Sequence, residues 1–84
     1  MGTPIEDLPG LGPKTAQRLT AVGITCGEEL DDVGAVEAYR RLIAAFPEAT
    51  SLNALWGLQS ALMEIHWTEL PQDIKDDLRR QVGR

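Results

Sequence analysis

Apolar residues recur at helical spacing along most of the chain, and no stretch alternates apolar with polar residues long enough to form a convincing strand. Ala16, Leu19 and Val22 mark the inner face of a first helix over 13–22. Pro13 suits its opening position, having no N–H to leave unpaired, and Gly23 supplies a left-handed cap. A short second helix is expected over 26–32, with Thr25 as N-cap and Glu28 completing a capping box. Gly34 marks the next turn. A third helix over 35–46 follows from Val36, Tyr39, Leu42, Ile43 and Phe46, with Glu37 four residues before Arg41 and Pro47 as the stop. The fourth, over 52–67 and capped by Thr50 or Ser51, is apolar round most of its circumference, which implies a central position. Its polar-or-small stripe is Asn53, Gly57, Ser60 and Glu64. A last helix over 71–82 buries only Ile74, Leu78 and Val82. The expectation is an all-α compact bundle of about five helices.

The 84 residues allow one domain, 1–84, and exclude a two-lobed enzyme with a cleft between its lobes. One cysteine, Cys26, excludes an internal disulfide and a multi-cysteine metal site, and one histidine, His66, excludes chemistry built on histidine pairs. No apolar run is long enough to cross a bilayer, and no basic-then-apolar leader follows Met1, so a cytoplasmic protein with no membrane partner is expected. No cofactor or metal is called for, and no nucleophile–base pair or phosphate loop suggests an enzyme. The net charge of -5 runs against nucleic-acid binding, because affinity for DNA grows with the number of phosphates neutralised. A claim of DNA contact must rest on a local feature.

One local feature qualifies. Leu8-Pro9-Gly10-Leu11-Gly12-Pro13-Lys14-Thr15-Ala16 resembles the hairpin and second helix of the helix-hairpin-helix motif of DNA repair and recombination proteins. Glycines let the backbone turn sharply and approach a phosphate, while the free amides opening the next helix point at the anion with the helix dipole behind them. Gly10, Gly12, Lys14, Thr15 and Arg18 are therefore the candidate DNA-binding residues, through weak contacts that read no sequence. The same turn also serves a helical protein that only needs to change direction, with Leu11 plugging the core. A faint repeat, offset by 22 residues, aligns Leu8 with Leu30, Leu11 with Val33, Gly12 with Gly34, Ala16 with Ala38 and Arg18 with Arg40. In that second copy Asp31 and Asp32 precede the glycine and would repel a phosphate.

Other candidates carry less. His66 closes a helix, where the dipole accounts for it. Cys26 lacks a partner and reads as a structural thiol, and Trp56 reads as core. Trp67 falls on the polar stripe, where a partner surface is open to it. Glu28, Glu29, Asp31 and Asp32 lack the alternating ligands of a calcium loop and read as a solvated face. That face supports the rival function, docking on a basic surface of a transcription-related protein.

Four pieces in order resemble the C-terminal domain of the TfoX/Sxy family of bacterial competence regulators. They are Leu11-Gly12-Pro13-Lys14; Val22-Gly23-Ile24-Thr25 leading to Glu29-Leu30; Val33-Gly34-Ala35-Val36-Glu37-Ala38-Tyr39-Arg40-Arg41-Leu42; and Ser51-Leu52-Asn53-Ala54-Leu55-Trp56 running to His66-Trp67 and Leu70-Pro71. The third and fourth are the specific ones. The resemblance implies a helical domain, no catalysis, and a role in regulating genes for DNA uptake through DNA or the transcription machinery. Full-length members carry a further N-terminal domain, so a stand-alone version of the C-terminal domain is expected.

Overall fold

The computed structural model describes Pro4, Ile5 and residues 11–83, apart from the Trp67 side chain. The described residues form four α-helices and no strand: α1 (Pro13–Ala21), α2 (Gly27–Ala45), α3 (Leu52–Met63) and α4 (Gln72–Val82). A 3-10 turn, Trp67–Glu69, lies between the last two. The all-α expectation holds, with four helices where the sequence predicts about five. The expected second and third helices are one element, α2, interrupted at Gly34 (φ 82, ψ 161). That backbone conformation is open essentially to glycine alone, so the helical path breaks at Gly34 and α2 is two helical segments meeting at a kink.

The termini of α1 match the sequence reading. Pro13 occupies the first position after the N-cap Gly12. At the other end Gly23 has φ 90, the Gly23 amide donates to the Thr20 carbonyl (3.1 Å), and the Ile24 amide donates to Leu19 (2.9 Å). This pair of bonds is a Schellman cap. At α2 the N-cap is Cys26, one residue later than expected and without a side-chain cap bond, and the carboxylate that reaches back over the helix start is Glu29. Its Oε1 accepts the Thr25 amide (3.0 Å), the Thr25 hydroxyl and the Cys26 thiol (3.6 Å). A lone antiparallel bridge joins Pro4 to Cys26 and places Ile5, fully buried, in the core.

The core comprises Ile5, Ala16, Leu19, Ile24, Leu30, Ala35, Ala38, Tyr39, Leu42, Leu55, Leu58, Ala61 and Leu78. Its principal seam is between α2 and α3. On α3 the buried side includes Gly57 and Ser60 from the polar-or-small stripe, while Leu52, Trp56 and Leu62 are half-buried. Small side chains let two helices approach, and the Ser60 hydroxyl satisfies itself by donating to the Trp56 carbonyl at 2.7 Å. The helix stops at Met63, short of the expected Trp67, because Glu64 turns left-handed (φ 57) and the Ile65 amide closes back on the Ser60 carbonyl at 3.1 Å.

α4 lies across this pair on Leu78, with Ile74 and Val82 half-buried. Arg40 Nη2 donates to the Gln81 carbonyl (2.9 Å), and Lys75 Nζ sits 5.9 Å from the centroid of Trp56. Arg41 pairs with Glu37 at 3.1 Å, as their spacing predicts. No helix among the described residues is long and apolar enough to cross a membrane.

Candidate phosphate-binding turn

The first turn of α1 is where the hairpin reading meets its geometry. Gly12, the N-cap, has φ -81 and ψ 168, extended backbone that many residues adopt, and a Cβ built there would meet nothing within 4 Å. Glycine is therefore not needed for the turn at this position. Pro13 has no amide to offer. The Ala16 amide already donates to the Gly12 carbonyl at 3.0 Å. Between them stand Lys14 and Thr15, at the second and third helical positions, whose amides lie before the first intrahelical bond. Gly12 supplies no side-chain cap for them, and no acidic residue occupies the first turn.

Lys14 is exposed and Thr15 half-buried, so both the charge and the open amides lie at one end of one helix. No ion pair among the described residues involves Lys14. Beside it runs a depression of about 380 Å³ lined by Pro13, Ala16, Gln17 and Thr20, none of them charged. Arg18 follows one turn later, half-buried, and donates from Nη1 to the Ala49 carbonyl at 3.3 Å. Sequence reasoning assigns it to the anion; the structure also makes it a tie to the turn before α3. Gly10, with Leu8 and Pro9, lies outside the described residues, as does the Trp67 side chain.

The acidic residues gather elsewhere. Glu28, Asp31 and Asp32 from the start of α2 and Glu64 from the end of α3 rim a depression of about 300 Å³ floored by Gly27, Ala61 and Leu62. The first turn of α2 carries Glu28 and Glu29, where α1 carries none. The first turns of α1 and α2 thus differ in sign. Among the described residues no three His, Cys, Asp or Glu side chains gather so as to hold a metal ion.

The family model of the TfoX C-terminal domain matches residues 1–82 of the 84. The chain belongs to the TfoX C-terminal domain family. This TfoX C-terminal domain is similar to a solved structure of an uncharacterized protein from Listeria monocytogenes in a triclinic crystal form. That match has 30% identity and a TM-score of 0.86, over 92% of this chain and 86% of the other. It is also similar to a protein of unknown function from Listeria monocytogenes in a tetragonal form, at 29% identity and a TM-score of 0.87. Here the cover is 94% of this chain and 95% of the other. No curated protein matches the TfoX C-terminal domain described here.

Proposed function

We propose that this domain is a non-enzymatic regulatory module of the competence-regulator type, making weak, sequence-independent contact with nucleic-acid phosphates through the first turn of α1. The observation that carries the reading is the state of the Lys14 and Thr15 amides. Among the described residues neither is claimed by a side-chain cap, and no acidic residue stands in the first turn of α1. The positive end of the helix dipole stands behind them, an arrangement suited to an anion. Family membership fits a regulatory role. The net charge of -5 opposes a long polyanion, so the contact is confined to a few phosphates and fades quickly with salt. With Lys14 and Arg18 as the two cations, the logarithmic salt slope has a magnitude of about 2, at about 0.9 per phosphate neutralised.

Titration of a labelled DNA duplex at low salt, with wild type, Gly12→Asp and Lys14→Glu, tests this. An aspartate at the N-cap accepts the amides of the second and third helical positions, and so stops up the proposed site from within. The same substitution stabilises α1 by a few tenths of a kcal/mol relative to glycine. Both variants are expected to stay folded and to bind more weakly than wild type. Equal affinity for all three contradicts the proposal.

The acidic depression between α2 and α3 favours a second reading, docking of a transcription-related protein through a basic surface. Four carboxylate side chains around an apolar floor complement such a partner in sign. Recovery of that protein from a nuclease-treated extract, lost on Asp31→Lys with Asp32→Lys, supports docking; recovery abolished by nuclease supports the phosphate contact.

A further inference from the structure

No further inference is drawn: the strongest candidate, the depression rimmed by Glu28, Asp31, Asp32 and Glu64 between the start of α2 and the end of α3, is a cluster of exposed carboxylates that already carries the second reading above, and nothing in the structure shows what covers it.

Discussion

Arg18 reaches from α1 to the backbone of Ala49, its Nη1 donating to that carbonyl at 3.3 Å. The next residue, Thr50, is itself anchored, its buried hydroxyl donating to the Leu42 carbonyl at 3.2 Å. The two bonds hold the turn between α2 and α3 from both sides. Arg18 thus has a structural duty that its neighbour Lys14 lacks.

Alanine substitutions separate the two roles. Loss of a charged donor to a backbone carbonyl costs about 0.5–1.5 kcal/mol at an exposed site, and Arg18→Ala is expected to fall in that range. Lys14→Ala, with no partner to abandon, is expected to stay within about 0.5 kcal/mol of wild type. Urea denaturation measures both, and equal losses contradict the assignment of the tie to Arg18 alone.

Glu29 gives stability a dependence on pH. The Thr25 hydroxyl and then the Thr25 amide, both bonded to its carboxylate, hold its pKa below the ordinary value of 4.5. The folded state therefore binds the proton less readily than the unfolded chain. The contribution is fully present above 4.5 and is lost as pH falls through the lowered folded value. Glu29→Gln, which abolishes the titration, is expected to flatten the decline in stability below that pH relative to wild type. Thermal melts between neutral and acidic pH check the slope; parallel curves count against the role of Glu29.

Glu64 is the one described residue other than glycine with positive φ, at 57°. A left-handed residue with a Cβ costs about 1–2 kcal/mol, and glycine relieves it while paying some of the gain back as unfolded-chain entropy. Glu64→Gly is expected to stabilise the domain by about 0.5–1 kcal/mol, with α3 still ending at Met63. A lower denaturation midpoint would contradict the strain.

The elements that local chemistry determines were legible in the sequence. Pro13 and Gly23 bracket α1, and Glu37 with Arg41 marks the exposed side of α2. The sequence says less where tertiary packing decides. Gly57 and Ser60 look polar or small on a helical wheel, yet they are buried on α3 because close packing of helices favours small side chains. Gly34 reads as a turn between two helices, and α2 does break there, at a kink between two helical segments. The carboxylate that reaches back over the helix start is Glu29 rather than Glu28 because the helix begins one residue later. Ile5 joins the core through an isolated bridge that leaves no periodic trace. At the candidate site, the open amides follow from Gly12-Pro13-Lys14 alone. The second partner of Arg18 does not, since Ala49 is distant in sequence and a backbone carbonyl carries no residue-type signal.

The central claim concerns two amides, and they can be watched directly. In a ¹⁵N–¹H spectrum at low salt, titrated with a short DNA duplex, the Lys14 and Thr15 cross-peaks are expected to shift furthest, and to return towards their free positions as salt is raised. Shifts confined to other surfaces, or none at duplex concentrations that shift other peaks, would show that the first turn of α1 holds no phosphate.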